Sequence, residues 1–360
     1  MTVQLRHLLM AFGLATVLGV GIVWGGAINV GASTGHWPIT DWFLHFAMRQ
    51  SVAAQSAGIE TPPLDAPGQV RRGAAHFEIA CAICHGSPAA EQATEILGMT
   101  PPPPLLMEVV GDWTPRELFW IVKHGVKFTG MPAWPSQERD DEVWAMVAFL
   151  RRMPEMTAAD YRALALGGER TADAPVPGLD PAIAGKCFRC HGSDGAGFTD
   201  EAFPKLDLQT PQYLFAALLA FRDGTRASGI MQAATSGLSD TELRALAEYF
   251  GSDPVSLPLS GAAGARGEQI AMLGLPAQRI GACAGCHDGR SNDIARVDFP
   301  RLAGQYESYL AAQLGLFADP RVKRGGGRFS SLMRNSVHDL SAEDIAAVSA
   351  WYAARLPERK

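Results

Sequence analysis

All six cysteines of the chain fall into three short runs: Cys81-Ala-Ile-Cys84-His85, Cys187-Phe-Arg-Cys190-His191 and Cys283-Ala-Gly-Cys286-His287. Each run is C-x-x-C-H. Thiols at i and i+3 sit one helical turn apart, so both can add to the two vinyl groups of one haem. The adjacent His then stands beneath the iron as an axial ligand. Other chemistries fit less well. A structural zinc site needs four converging ligands, and the intervals between these pairs are whole-domain lengths. A thioredoxin-like redox pair needs a βαβ setting, and no strand pattern stands out. A disulfide inside each pair leaves the His without a role. The runs therefore predict three covalently bound haems c, held by Cys81 and Cys84, by Cys187 and Cys190, and by Cys283 and Cys286. His85, His191 and His287 supply one iron ligand each.

The second axial ligand is sought among Met and His. Between the second motif and the third, Met231 is taken as the one Met that can serve iron two, and no His competes. After His287 the one Met is Met333, with His338 as its rival. Met231 and Met333 each precede a capping-box Ser, Ser239 and Ser341, by 8 residues. Both are expected in loops. In the first repeat Met99, Met107, Met131, Met146, Met153 and Met156 are available. Met131 lies 46 residues after His85, the interval that also separates His287 from Met333. Met146 falls inside a helical pattern and reads as core. His124 ends a helix whose C-cap is Gly125, where a solvated imidazole favours the dipole. Met131, Met231 and Met333 are thus the expected sixth ligands. His/Met ligation raises a haem's potential relative to His/His. With both axial positions filled, no iron is left open to oxygen or peroxide, which points to electron transfer.

The elements that must position these residues repeat three times. Phe203-Pro204-Lys205-Leu206 matches Phe299-Pro300-Arg301-Leu302, each Pro lying 13 residues after its motif His. Tyr213-Leu214 matches Tyr309-Leu310. Ser239-Asp-Thr-Glu242 is a capping box and Ser341-Ala-Glu-Asp344 an Asp variant of one. Apolar residues at helical spacing follow: Leu243, Leu246, Tyr249 and Phe250, then Ile345, Val348, Trp351 and Tyr352. The third repeat is longer by six residues between His and Met, which the Gly-rich segment Lys323 to Arg328 accounts for. In the first repeat Val70, Gly73, Ala74, Phe77 and Ala80 lead into Cys81. Thr114-Pro115-Arg116-Glu117 is a capping box with Pro at the first helical position. A last helix is expected from about Ser136 to Arg152, with Val143, Trp144, Val147 and Leu150 on one face.

The chain has 360 residues and a net charge of −6. That balance lacks the basic footprint of a nucleic-acid binder. Leu8 to Val30 is uncharged and long enough to span a bilayer, since about 20 apolar residues suffice. Val30-Gly31-Ala32 before Ser33 has the small-residue character of a signal cleavage site, so an uncleaved anchor and a cleaved signal are both open; either exports the rest of the chain. Arg6 fits a cytoplasmic N-terminal side. Thr40 caps a short helix carrying Trp42, Phe43, Phe46 and Met48, placed at the membrane interface or packed on the first repeat. The expected architecture is all-α, with three tandem haem domains after an N-terminal transmembrane helix. Residues 1–35 are the anchor or an uncleaved signal. Residues 36–65 are the interfacial helix and linker. The haem domains are 66–156, 170–254 and 262–357, with linkers near 168–180 and 253–264.

Each repeat resembles a class I cytochrome c domain. Repeats two and three resemble the diheme cytochrome c4 family, through Phe-Pro-Lys/Arg-Leu, the Tyr-Leu helix and the Met-to-Leu-Ser-x-x-Glu/Asp ending. Repeat one resembles single cytochrome c domains of membrane-bound bacterial chains, through "KHGVKFTGMPAW". The resemblance implies a Pro carbonyl that accepts a hydrogen bond from each ligand His: Pro204, Pro300, and either Pro103 or Pro104. Repeat two departs from the pattern, since "GLDPAIAGK" before Cys187 lacks the usual aromatic and its first helix is expected to be short or absent. The implied function is single-electron relay by a membrane-tethered triheme cytochrome c on the periplasmic face of a bacterial inner membrane. Its implied partners are a quinol-oxidising complex or dehydrogenase on one side and a terminal oxidase or soluble carrier on the other. A dedicated dehydrogenase subunit is the alternative. A haem peroxidase or reductase, less favoured, requires an iron with a displaceable ligand.

Overall fold

The computed structural model describes residues 4–168, 175–251, 265–287, 299–322 and 324–355. Among the described residues regular structure is helical throughout, with isolated bridges but no strand. The linker expected at 253–264 lies outside the described residues, as does part of that at 168–180.

The first helix, Leu5–Trp24, has 20 residues, none buried, and a mean hydropathy of 1.9. At about 1.5 Å per residue it is about 30 Å long, the thickness of a bilayer's hydrocarbon core. It stops short of Val30 because Gly26 (φ 67°) ends it, with Ala27 N–H closing back on the Ile22 carbonyl. The next helix, Pro38–Ser56, is longer than expected and is not capped by Thr40. Trp37 is its N-cap and Pro38 its first residue, where a missing N–H costs nothing. Its C-terminal half packs on the first haem-motif group, burying Val52 and Ser56. Arg49 lies 4.7 Å from the Trp113 ring centre. Its N-terminal half leaves Trp42, Phe43 and Phe46 exposed.

Three helical groups follow. In the first, the entry helix Gln69–Ala80 crosses the closing helix Asp140–Arg152. Gly73 lets the backbones approach, since a Cβ there would lie 2.3 Å from the Ala145 carbonyl oxygen. Phe77, Met146, Phe149 and Met153 fill the core, Met146 as expected of a core residue. The closing helix does not begin at Ser136. Residues 136–139 form a turn, with Arg139 N–H on the Ser136 carbonyl, and Arg139 is the N-cap. Helix Ala158–Ala165, unforeseen, lies past residue 156 yet joins the same core. Its Tyr161 hydroxyl donates to Glu78 over 2.6 Å.

The third group repeats this crossing with helices Ala265–Leu273 and Ala342–Ala353, where a Cβ on Gly267 would lie 2.3 Å from the Ala347 carbonyl oxygen. The second group departs from it. A single helix, Pro181–His191, both enters the fold and carries the C-x-x-C-H run. It is short but present, capped by Asp180, whose side chain accepts from the Ala182 N–H. Val176, Ala184 and Phe188 pack on Leu246, Ala247 and Phe250 of the closing helix Asp240–Phe250.

Candidate haem-binding centres

Each C-x-x-C-H run lies on a helix or at a helix end: Ala82–His85, Pro181–His191 and Ala284–His287. None of the six cysteines is in a disulfide. Burial pushes the Cys81, Cys187 and Cys190 thiols up to about 12 and Cys283 to about 11. These thiols are therefore protonated in the folded chain at neutral pH.

The three imidazoles share one geometry. Nδ1 of His85 lies 2.9 Å from the Pro104 carbonyl oxygen, that of His191 3.1 Å from Pro204, and that of His287 2.7 Å from Pro300. A carbonyl can only accept, so Nδ1 carries the proton and Nε2 keeps its lone pair. Burial holds all three imidazoles below the ordinary value, His191 at about 4, so they are neutral at pH 7. Each ring is thus presented as a neutral donor through Nε2. Between the two prolines in the first group, Pro104 accepts from His85. The Pro103 carbonyl accepts from the Gln92 amide, which also ties down the Cys84 carbonyl. In the other groups the Phe of the Phe-Pro pair packs beside the imidazole, Phe203 5.9 Å from His191 and Phe299 6.0 Å from His287.

The candidate Met residues fall as follows. Met131 lies in an irregular segment, its carbonyl accepting from Val126 N–H. Gly125 (φ 65°) is required there, since a Cβ would stand 2.6 Å from the Met131 oxygen. The loop expectation for the other two is corrected. Met231 lies on helix Gly229–Thr235 and Met333 on helix Ser330–Val337, both started by the preceding Ser or Gly-rich turn. The N-cap at Arg139 also shows a spacing the sequence reading missed: Met131, Met231 and Met333 all stand 8 residues before the N-cap of their closing helix, at Arg139, Ser239 and Ser341. The rivals are elsewhere. His124 is exposed at its helix end, its ring 5.1 Å from Trp120. His338 is exposed and directed at Asp339. Met272 also falls between the second and third motifs, but on the entry helix of the third group.

Groups two and three meet across a near two-fold pairing that sequence reading did not single out. Gln209 donates to the Arg301 carbonyl and accepts from the Arg301 N–H, over 2.8 and 2.9 Å. Gln305 does the same to Lys205, over 2.9 and 3.0 Å. Both glutamines lie five residues after the Phe-Pro proline; the first repeat has Val109 at that offset from Pro104 and makes no such pairing. The signal was there in the aligned repeats.

Beside this junction Arg226 and Arg324 are buried. Arg226 donates to the Tyr309 hydroxyl (3.0 Å), and Arg324 to Gln313 (2.7 Å). Burial and the adjacent Arg226 charge push Arg324 down to about 10. Two buried cations side by side call for anions, and haem propionates would carry the matching charge. The donor set therefore fits covalent haem: free paired thiols, a neutral imidazole with Nε2 available, and buried guanidinium groups.

Comparison with known proteins agrees. A family profile described as "Cytochrome C oxidase, cbb3-type, subunit III" matches residues 68–150 and 182–250. Cytochrome c4 of Pseudomonas aeruginosa is 34% identical over 171 residues, which cover 47% of this chain and 84% of that protein. The chain belongs to the cytochrome c4 family. A protein named thiosulfate dehydrogenase electron acceptor, from Thiomonas intermedia, is 32% identical over 180 residues, 49% of this chain and 81% of that one. The crystal structure of reduced recombinant cytochrome c4 from Pseudomonas stutzeri is similar at 30% identity and a TM-score of 0.41, covering 50% of this chain and all of that one. This cytochrome c4 relative is an electron-transfer cytochrome with covalently bound haem c.

Proposed function

We propose that the chain is a membrane-tethered triheme cytochrome c, passing single electrons among three His/Met-ligated haems on the periplasmic face of a bacterial inner membrane. The haem domains are 66–156, 170–254 and 262–357. The axial pairs are His85 with Met131, His191 with Met231, and His287 with Met333. Cys81, Cys84, Cys187, Cys190, Cys283 and Cys286 hold the three haems covalently. The observation that carries this reading is the threefold Nδ1-to-Pro-carbonyl hydrogen bond.

When bound, each haem supplies one-electron exchange at iron. The chain's own residues decide how little must move as that happens. The Pro104, Pro204 and Pro300 carbonyls lock ring orientation and make Nε2 more basic. The helix Leu5–Trp24 supports tethering, since it is apolar, fully exposed and long enough to cross a bilayer. The donor is a quinol-oxidising complex or a dehydrogenase, and the acceptor a terminal oxidase or soluble carrier.

Pyridine haemochrome assay of the purified full chain tests the count, with three haems per chain expected. The Met–Fe(III) charge-transfer band tests ligation, at an intensity of three Met-ligated haems. Two haems per chain, or a high-spin haem in the resting protein, overturns the corresponding part. The relative named as a dehydrogenase electron acceptor supports a second reading, a dedicated subunit of a periplasmic dehydrogenase. Stable co-purification with such an enzyme from membranes selects that reading over a diffusing-partner relay.

A further inference from the structure

The closing helices of the three groups place an acid at the same position, three residues after the N-cap: Glu142, Glu242 and Asp344. Glu242 bonds back to its own N-cap Ser239, completing a capping box. Asp344 donates its N–H to the Ser341 hydroxyl oxygen over 3.1 Å, and its carboxylate accepts from Arg266 over 2.7 Å. Glu142 does neither. Its N-cap is Arg139, which has no hydroxyl to share, and its carboxylate bridges from Arg139 and Trp134 of its own group to the second group.

Glu142 is 4% exposed, and its carboxylate closes on the start of the helix that carries Met231. Oε1 accepts from the Ser228 hydroxyl over 2.5 Å, and Oε2 from the Gly229 N–H over 2.7 Å. The same Ser228 oxygen accepts from the Met231 N–H over 3.1 Å. The carboxylate itself is held by Arg139 Nη1 at 3.0 Å and by Trp134 Nε1 at 3.3 Å. Arg139 also donates to the Ala227 carbonyl over 2.8 Å. Trp134 comes from the Met131 segment of the first group. It packs so closely that a Cβ on Gly229 would lie 2.3 Å from its Nε1. The chain from Ala227 to Met231 is thus set in place by groups of another haem unit.

We propose that Glu142 is a positioning residue for Met231: a carboxylate of the first haem unit that fixes the backbone bearing the second unit's sixth ligand. It rests on the reading of Met231 as that ligand. A thioether is a weak ligand to iron, so its backbone must be held within a fraction of an ångström, and hydrogen bonds behind the ligand do that work. In the other two units the acid at this position stabilises its own helix. Here it is used between units, so the state of the central haem depends on the first unit being docked.

The test uses the full, haem-loaded chain in three variants, read by the Met–Fe(III) band and by the midpoint potentials. Glu142→Ala is expected to lose about one third of the band and to lower one midpoint, leaving three haems and the other two midpoints in place. Glu142→Gln keeps an oxygen for the Gly229 N–H. It is expected to retain the band while the same midpoint rises, because a negative charge behind Met231 is removed and Arg139 keeps Asp141 alone as its carboxylate partner. Met231→Ala gives the reference loss. If Met231→Ala removes a third of the band and Glu142→Ala leaves band and midpoints unchanged, with only the melting temperature lowered, Glu142 is structural and the proposal is overturned. If Met231→Ala leaves the full band, the ligand reading is what fails. Should Glu142→Ala not mature, the Glu142→Gln midpoint decides: an unchanged value overturns the proposal.

Discussion

Gly73 and Gly267 sit where entry and closing helices cross, and replacing each by Ala has a calculable effect. An added Cβ at Gly73 meets the Ala145 carbonyl oxygen at 2.3 Å and the Phe149 Cβ at 2.5 Å. At Gly267 it meets the Ala347 oxygen at 2.3 Å and the Trp351 Cβ at 2.7 Å. Ordinary contact begins near 3.4 Å, and the obstacles are backbone or Cβ atoms, so the helices must part by about 1 Å. Overpacking of this kind costs about 1–3 kcal/mol. Alanine's better helix propensity returns about 0.5–1 kcal/mol. A net loss of about 1–2 kcal/mol lowers the melting temperature of a domain this size by about 5–15 °C, at about 4–8 °C per kcal/mol. Gly185, on the motif helix of the second group, is the control: nothing lies within 4 Å of its added Cβ. Gly185→Ala should raise that domain's transition by a few degrees. Scanning calorimetry of the oxidised, haem-loaded chain separates the transitions. A neutral Gly73→Ala or Gly267→Ala, or a Gly185→Ala as damaging as either, refutes the claim that groups one and three share a close crossing which group two lacks.

Burial lowers His76 from 6.5 to about 4, so the folded chain resists its protonation. The unfolded chain binds that proton first, so the contribution is complete above about 6.5 and is lost as pH falls towards 4. It amounts to about 3 kcal/mol at about 1.4 kcal/mol per pH unit. Denaturant titrations of wild type and His76→Gln between pH 7 and pH 4 should converge as pH falls; parallel curves count against it. Gln209→Ala leaves the buried Arg301 N–H and carbonyl without their glutamine partner at the junction of groups two and three, and Gln305→Ala does the same to the half-buried Lys205 pair. Each should cost about 1–3 kcal/mol, measured by denaturant midpoint, with group one unaffected. Met131→Ala should turn one haem high-spin or lower its potential sharply, and His124→Ala should do neither. The reverse pattern in visible spectra and potentiometry would transfer the ligand to His124.

Local chemistry was legible from residue types alone. Three C-x-x-C-H runs declare covalent haem because few other cofactors need two thiols one turn apart beside an imidazole. The capping boxes at Thr114 and Ser239 formed as read, since Ser or Thr at the N-cap and Glu at the third position satisfy each other within one turn. The Asp at 344 is one methylene shorter than Glu; it keeps the Ser341 cap through its N–H and adds Arg266 as a partner for its carboxylate. Helix ends set by local sterics were partly legible. Gly125 ends its helix as expected, whereas the closing helix of group one starts later than its apolar pattern suggested, because a turn at 136–139 intervenes.

By itself the sequence determined the helical class and the repeat, and it named the candidate haem thiols, motif histidines and Met residues, all of which depend on residues near one another along the chain. Only the tertiary structure decided between Pro103 and Pro104, paired Gln209 with Arg301, and sent Glu142 from one group to the helix start of the next. Those choices join residues about 20 to 100 positions apart. Which of several chemically competent partners is reached depends on how whole helices pack, and packing follows from shape and volume summed over the core rather than from any local signal.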